Sequence, residues 1–206
     1  MSFLRNAWYM AAWDKELQAG KPLARTLLNE PLALFRDSAG RAGAVLDRCP
    51  HRFAPLSMGT VVGDQLRCAY HGLEFDQRGA CTRNPHGDGN IPRAAKVKAY
   101  PVLEKHSVIW VWMGEPDKAD ERAIPDFSAS MNPDKRFVGQ DYLLAKAHYQ
   151  LETDNIMDLS HIEFLHPGSL GSEAIKKAKT EVLQEGNTVY SMRLTQAERL
   201  TPALEQ

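Results

Sequence analysis

Cysteine is scarce in this chain, with 3 in 206 residues. So few cysteines exclude a disulfide framework and indicate a reducing compartment, which we take to be the cytoplasm. An excess of one charge is also lacking, since 25 basic and 26 acidic residues give a net charge of −1. Because the two signs are interspersed, no basic stripe indicates nucleic acid or an anionic membrane as a partner.

Long hydrophobic runs are missing as well. The longest apolar run near the N-terminus covers 7–13, which is too short to span a bilayer, and no cleavage-site pattern accompanies it. Internal repeats and low-complexity tracts are also absent from the sequence. Hydrophobic residues make up 43% of the chain, enough for an ordinary core. We therefore expect a soluble globular protein with one large domain or two small ones.

The cysteines that are present stand beside histidines in two short motifs. These motifs are Cys49-Pro50-His51-Arg52 and Cys68-Ala69-Tyr70-His71-Gly72. Each supplies one thiolate and one imidazole, and four such ligands suit either zinc or an iron–sulfur centre. Zinc sites usually pair Cys with Cys and His with His, so the mixed motifs favour a Rieske cluster, in which two cysteines hold one iron and two histidines the other. A structural zinc domain and four residues without a metal are the alternatives.

The two motifs resemble the Rieske domain of the aromatic ring oxygenases. The resemblance lies in Cys-Pro-His-Arg followed by Cys-x-Tyr-His-Gly-Leu-x-Phe. It implies a [2Fe-2S] cluster bound by Cys49, His51, Cys68 and His71. His86 lies in a polar loop, 84–90, and we interpret it as a loop histidine rather than a ligand.

Apolar alternation and turn residues predict an antiparallel β-domain with both ligand motifs at strand ends. Strands are expected at 22–28, 31–36, 42–46, 65–67, 73–75, 97–102 and 107–113, and a short helix at 11–17. Beyond a segment with Pro116, Pro125 and Pro133, we expect a strand at 136–146, a helix from Tyr149 that stops at Pro167, a short helix at 173–179 and a hairpin at 181–194 around Gly186.

The expected helix from Tyr149 contains a second group of metal-ligand residues. Asp158 and His161 are three residues apart, so the carboxylate can accept the imidazole N–H and fix its tautomer. His161 and His166 are five apart, about 140° round a regular helix, which predicts a π-bulge or a loosened turn if both bind one metal. The zincin spacing does not fit. Two histidines and a carboxylate suit a mononuclear Fe(II) that activates O2.

Asp-x-x-His-x4-His resembles the mononuclear iron motif of Rieske oxygenases, and the sequence is most similar to the vanillate O-demethylase and dicamba O-demethylase group. The resemblance implies that His161 and His166 bind Fe(II) and that Asn155 lies near the iron. It also implies that Asp158 links His161 to the partner subunit's His71. The opening residues 3–9 and the run 49–57 read like that group as well.

The resemblance implies an α+β fold in three parts. We expect an N-terminal antiparallel β Rieske domain over 1–115, a connecting segment over 116–134, and the beginning of a helix-grip catalytic domain over 135–206. Family members continue further, and their third iron ligand, an aspartate, is expected beyond residue 206. Glu163 or Glu173 is the local alternative, without the family context. We expect a truncated subunit that holds its cluster and does not turn over.

The activity that the resemblance implies is that of a terminal oxygenase in a two-component Rieske system. Electrons would pass from NAD(P)H through a flavin and iron–sulfur reductase to the cluster and then to the mononuclear iron. The substrate would be an aromatic acid that is hydroxylated or O-demethylated, with a vanillate-like methoxy aromatic favoured, and full-length members form homotrimers. The alternative is a Rieske-type electron carrier without a second metal, which would hold two irons per chain instead of three.

Overall fold

The fold is described from a computed structural model, which covers residues 3–128, 131 and 140–196. The chain divides into two compact units, Met1–Gln140 and Asp141–Gln206. In the described residues the first unit contains eleven strands: β1 Trp8–Trp13, β2 Leu23–Leu27, β3 Glu30–Arg36, β4 Ala42–Leu46, β5 Thr60–Val62, β6 Gln65–Arg67, β7 Glu74–Phe75, β8 Cys81–Arg83, β9 Ala99–Tyr100, β10 Val102–Lys105 and β11 Val108–Trp112.

Three antiparallel sheets make up the described part of the first unit. One has the order β1-β11-β10, the second β2-β3-β4-β9, and the third β5-β6-β7-β8. Short 3-10 turns follow β1 at Asp14–Glu16 and precede β5 at Leu56–Met58, and two more lie at Pro116–Lys118 and Glu121–Ala123. The first unit is therefore an antiparallel β-domain, as the sequence predicts.

Two main apolar clusters stabilise the first unit. One joins the first two sheets through Leu32 and Leu34 of β3 and Ile109 and Val111 of β11, all fully buried. The other lies beneath the third sheet, and its members include Phe35, Val45, Leu66, Phe75, Cys49 and Cys68. Both motif cysteines thus belong to the hydrophobic core, so packing of the second sheet against the third positions them.

The short helix expected at 11–17 is wrong. Trp8–Trp13 is a strand that pairs with β11, and only Asp14–Glu16 forms a 3-10 turn. Aromatic side chains at Trp8, Tyr9 and Trp13 favour the extended backbone, where they pack on a pleated surface. Pairing with β11 and burial of Ala11 in the core then override any local helical preference.

Proline divides the strand expected at 97–102. The backbone forms β9 up to Tyr100, passes Pro101, and continues as β10 from Val102 in a different sheet. Proline has no N–H to donate to a ladder, so it stands where the chain leaves one sheet for another. The strands expected at 42–46 and 65–67 are confirmed, whereas β5 and β8 have no counterpart in the prediction.

The second unit is small. Its described elements are α1 Tyr149–Met157, α2 Ile162–Leu165, α3 Glu173–Lys177, β12 Lys179–Glu185 and β13 Thr188–Leu194. β12 and β13 pair as the expected hairpin, with Gly186 at φ 59° in the two-residue turn. Of the strand expected at 136–146, residues 136–139 lie outside the described residues, and 140–146 form no strand. Within the described ranges, no helix is long and apolar enough to cross a membrane.

Candidate metal centre

The first ligand loop follows β4 and is closed by backbone hydrogen bonds around Cys49. The Cys49 N–H donates to the Ala54 carbonyl over 2.9 Å, and the Phe53 N–H donates to the Cys49 carbonyl over 2.9 Å. His51 projects from the middle of this loop and is exposed. The loop therefore turns one side chain into the core and another toward solvent.

The second ligand loop, between β6 and β7, repeats this pattern around Cys68. The Cys68 N–H donates to the Leu73 carbonyl over 2.9 Å, and the Gly72 N–H donates to the Cys68 carbonyl over 3.0 Å. The same closure thus forms from each cysteine to the residues four and five positions later. The two motifs are equivalent backbone turns, although their histidines stand at different offsets.

The residue four positions after each cysteine is in the left-handed region. Gly72 has φ 70°, which glycine adopts freely, whereas Phe53 has φ 60°, which is an outlier for a bulky side chain. The Phe53 ring remains 61% exposed, and the guanidinium of Arg48 lies 4.0 Å from its centroid. The aromatic ring and the cation therefore cover the outer side of the first loop.

The two thiols are buried and contact each other. Cys49 is 1% exposed and Cys68 is 2% exposed. Burial raises the pKa of Cys49 to about 11, and the neighbouring Cys68 adds to this, while the backbone N–H groups of His51 and Arg52 hydrogen-bond to the sulfur and oppose it. Since a metal binds thiolate, loading this site must release protons.

The two imidazoles also lie together, on the outer side of the loops. The ring centroids of His51 and His71 are 4.4 Å apart with an interplanar angle of 62°. Partial burial lowers the pKa of His71, and the neighbouring His51, His86 and Arg52 lower it further. His71 is therefore held in the neutral form, which is the form that binds a metal.

This donor set fits a dinuclear cluster whose two irons have different ligands. Within the described ranges, no three His, Cys, Asp or Glu side chains are grouped as ligands of a single metal ion. Instead a buried thiol pair, Cys49 and Cys68, lies inside an imidazole pair, His51 and His71. Two irons with different ligands need this arrangement, and backbone N–H groups that point at a sulfur are a known way to tune the potential of such a cluster.

A third histidine, His86, lies at the site although the sequence indicates only a loop residue. Its Nε2 is 2.8 Å from the backbone carbonyl oxygen of His71. Because a carbonyl oxygen only accepts, Nε2 carries the proton and donates. The signal in the sequence is the run Asn84-Pro85-His86-Gly87, which turns tightly right after β8, the strand paired with β7.

A cleft of about 450 Å³ opens over the imidazoles. His51 and His71 form one side and His86 another, with Leu73 and Pro92 among the apolar lining residues. Both candidate imidazole ligands thus line an open cleft, whereas both thiols are buried.

The second group of candidate metal-site residues, Asp158, His161 and His166, lies where the expected helix breaks. α1 ends at Met157, Asp158 has an extended backbone with φ −106° and ψ 91°, and a 3-10 turn at Leu159–His161 precedes α2. The break is therefore a loosened turn, one of the two predicted distortions. It brings the ring centroids of His161 and His166 to 5.7 Å from each other.

The hydrogen bonds at this break differ from the expected ones. The Asp158 carboxylate accepts the Ser160 backbone N–H over 3.0 Å, and the His161 Nδ1 lies 2.7 Å from the Asp158 backbone carbonyl. Nδ1 must donate to that carbonyl, so the backbone, and not the carboxylate, fixes the tautomer and leaves the Nε2 lone pair available to a metal. Hydrogen bonds from Ser160, with His161 and Arg193 nearby, lower the pKa of Asp158, so its carboxylate is ionised.

The remaining candidate residues lie on the three helices of the second unit. Asn155 lies exposed on α1. Glu163 is in α2, and Glu173 begins α3, where it forms an ion pair with Lys177 over 3.5 Å. Neither glutamate forms a group of three metal-ligating side chains with His161 and His166 among the described residues.

Comparisons with known proteins agree with this geometry. The family model described as the Rieske [2Fe-2S] domain matches residues 7–101, and the one described as the vanillate O-demethylase oxygenase C-terminal domain matches residues 145–206. The oxygenase component of dicamba O-demethylase from Stenotrophomonas maltophilia is 48% identical over 183 residues, which cover 89% of this chain and 53% of that protein. The chain is a member of the Rieske oxygenase family.

Other members of this family are similar over comparable lengths. The vanillate O-demethylase oxygenase subunit of a Pseudomonas species is 39% identical, over 93% of this chain and 53% of that protein. The crystal structure of dicamba monooxygenase bound to dicamba superposes with a TM-score of 0.87 at 43% identity, over 95% of this chain and 59% of that chain. The chain thus spans about half the length of the curated relatives that it matches.

Proposed function

We propose that this chain belongs to the terminal oxygenase component of a two-component Rieske system. The observation that carries the proposal is the pairing of a buried thiol pair with an outer imidazole pair on two equivalent turns. Family membership supports the second part of the proposal, that a mononuclear iron site follows on the same chain. The domains of this oxygenase are then 1–115 for the Rieske domain, 116–134 for the connection, and 135–206 for the first part of the catalytic domain.

The residues of the first unit would hold the cluster and control access to it. Cys49 and Cys68 would bind one iron as thiolates, and His51 and His71 would bind the other as neutral imidazoles. When bound, the cluster stores single electrons, and a mononuclear Fe(II) further along the chain supplies the site of O2 activation. The apolar core around the two cysteines keeps water from the sulfurs, so a bound cluster would exchange electrons on the imidazole side.

The residues of the second unit would bind the mononuclear iron through His161 and His166, with Asn155 near it. The Nδ1 hydrogen bond of His161 to the backbone orients its Nε2 for a metal. The ionised Asp158 carboxylate is assigned the role of joining His161 to the partner subunit's His71. Because the His161 Nδ1–H donates to the Asp158 backbone carbonyl in this structure, this role requires that proton to change its acceptor from the carbonyl to the carboxylate. This role requires an assembly of several copies, and we infer a homotrimer.

The proposed partners and substrates are supported by two relatives whose names describe O-demethylase oxygenase components. Electrons come from NAD(P)H through a separate flavin and iron–sulfur reductase in the cytoplasm. The substrate is a small aromatic acid, with a vanillate-like methoxy aromatic favoured. Its methoxy carbon would be hydroxylated at the expense of O2, two electrons and two protons, and the resulting hemiacetal would break its methyl C–O bond to give a phenol and formaldehyde. Nucleic acid and membrane are not among the partners proposed.

A second candidate is an electron carrier that binds only the cluster. It is favoured by one observation, that His161 and His166 are not joined by a third metal-ligating side chain among the described residues. Iron analysis separates the two functions, because the carrier holds two irons per chain and the oxygenase three. His166→Ala lowers the iron content by one in the oxygenase and leaves it unchanged in the carrier.

The cluster itself is tested by a pair of cysteine substitutions. Cys68→Ser removes a buried proposed ligand, so we expect the purified, dithionite-reduced protein to lose its rhombic EPR signal. Cys81→Ser is the matched control, because Cys81 lies outside both ligand loops, with its thiol 3.5 Å from the Arg83 carbonyl. A parent protein that binds zinc and contains no inorganic sulfide would refute the proposed function.

A further inference from the structure

The loop at 84–90 is held in one conformation by hydrogen bonds within the loop. The Asn84 side chain accepts the His86 N–H over 3.1 Å and donates to the Asn90 carbonyl over 2.8 Å. The Gly89 N–H donates to the His86 carbonyl over 3.0 Å, which closes the turn from within. These bonds fix the backbone that carries the His86 imidazole.

This loop packs against the second ligand loop at two points. A Cβ added to Gly72 would lie 3.2 Å from Pro85 Cγ, so the Pro85 ring packs closely against the Gly72 backbone. One residue away, the His86 Nε2–H donates to the His71 carbonyl over 2.8 Å. A donor is thus held against the backbone of a proposed cluster ligand by a loop that belongs to neither cysteine motif.

The chemistry of this bond differs from that of simple packing. The N–H dipole places its positive end toward the ligand loop, and donation to the carbonyl withdraws electron density from it. Both effects favour the reduced form of a nearby cluster, since hydrogen bonds around an iron–sulfur centre are a main control of its potential. Packing alone would need only a side chain of similar size.

We propose that His86 is a positioning residue for His71, and that its Nε2–H donor raises the reduction potential of the cluster. The inference rests on the proposed function, because it requires the cluster to be bound by His71. It assigns to the 84–90 loop a part in setting the driving force of electron transfer, in addition to shaping one side of the cleft.

The test compares two substitutions of similar size in the cluster-loaded chain. His86→Gln keeps an N–H donor at the position of Nε2, whereas His86→Leu has none. Midpoint potentials are measured by dye-mediated spectroelectrochemistry, and g-values by EPR of the reduced protein. We expect His86→Leu to shift the reduced-to-oxidised ratio at a fixed ambient potential roughly threefold to tenfold toward the oxidised form. His86→Gln keeps the donor, so it should shift the ratio by no more than half as much as His86→Leu on a logarithmic scale.

Each other outcome has a defined meaning. Equal shifts in both variants would overturn the proposal, because the potential would then depend on packing and not on the N–H donor. No shift in either variant would also overturn it, because the potential would then not depend on His86. If His86→Leu fails to retain iron, Asn84→Ala provides the second measurement, since it releases the loop but keeps the imidazole. A potential lowered in Asn84→Ala supports the proposal, and an unchanged one overturns it. Absence of the rhombic signal in the unsubstituted protein would instead refute the proposed function itself.

Discussion

At the scale of single residues, the left-handed positions of the two ligand loops have different tolerances. Gly72 at φ 70° has Pro85 behind it, so an added Cβ meets both the backbone preference and a neighbour. Gly63, in the turn between β5 and β6, has φ 59° and open space around it. Alanine substitutions at the two positions therefore separate two costs. Gly63→Ala measures the strain of the left-handed backbone alone, and Gly72→Ala measures that strain plus the contact with Pro85.

We expect Gly63→Ala to lower the free energy of unfolding by about 1 kcal/mol, which is the usual cost of alanine in this conformation. Gly72→Ala should cost about 1 kcal/mol more, because Pro85 must also move. Urea unfolding followed by circular dichroism measures both. An equal cost for the two substitutions would mean that Pro85 yields freely and that the close approach constrains nothing.

At the scale of structural elements, an ion-pair cluster joins the strands that flank the second ligand loop. Glu74 of β7 is 6% exposed, and one of its carboxylate oxygens accepts from Arg67 of β6 at 2.7 Å and from Arg83 of β8 at 3.0 Å. Arg67 directly precedes Cys68, and Glu74 directly follows Leu73. The cluster therefore holds together the two ends of the loop.

Glu74→Gln should lower the free energy of unfolding by about 2 kcal/mol, because two guanidinium groups lose their buried counter-charge. Glu181→Gln is the control, since it breaks an exposed pair with Lys179 and should change stability by less than about 0.5 kcal/mol. Calorimetric unfolding of both variants measures the difference. Similar values for the two would show that the Glu74 cluster is no stronger than a surface pair.

Much of the element order can be predicted from the sequence, because turn residues and alternation are local signals. The sequence predicts Ala42–Leu46 and Gln65–Arg67 with the observed bounds, and Gly186 marks the hairpin turn. Over part of the first strand, Trp8–Trp13, the sequence instead predicts a helix, because the strand's partner, β11, is about a hundred residues later in the chain. No local signal contains such a pairing.

The sequence predicts the ligands of the candidate site but not the hydrogen bonds around them. The spacing of Cys49, His51, Cys68 and His71 sufficed to propose the cluster, since ligand chemistry is carried by residue type. The place of His86 depended on how the loop after β8 folds back, which spacing does not encode. Likewise, the sequence predicted a distortion near Asp158, but only the backbone geometry shows that a carbonyl rather than the carboxylate orients His161.

At the scale of the whole molecule, Glu30 ties the N-terminal segment to the second sheet. Burial alone would raise its pKa, but hydrogen bonds from Lys98, Tyr100 and Arg5 outweigh this and lower the pKa to about 2. The native state therefore binds fewer protons than the unfolded chain between this value and the ordinary pKa of about 4.3 for glutamate. The resulting stability is present above the ordinary pKa and is lost as the pH falls toward 2.

We expect Glu30→Gln to lower the free energy of unfolding by about 2–3 kcal/mol at neutral pH and to cost much less near pH 2. Tyr100→Phe removes one of the donors, so it should raise the pKa of Glu30 and move the acid limb of the stability curve by a smaller amount. Chemical unfolding at a series of pH values gives both curves. A Glu30→Gln cost that does not depend on pH would contradict this assignment.

The contact between the Cys49 and Cys68 thiols has a practical consequence for protein that lacks its inorganic ligands. Air can oxidise two neighbouring thiols to a disulfide, with O2 taking up the electrons and protons, and the joined sulfurs then no longer offer thiolates. Anaerobic handling, or prior treatment with a reductant, should therefore decide how much of an iron-free preparation accepts a cluster.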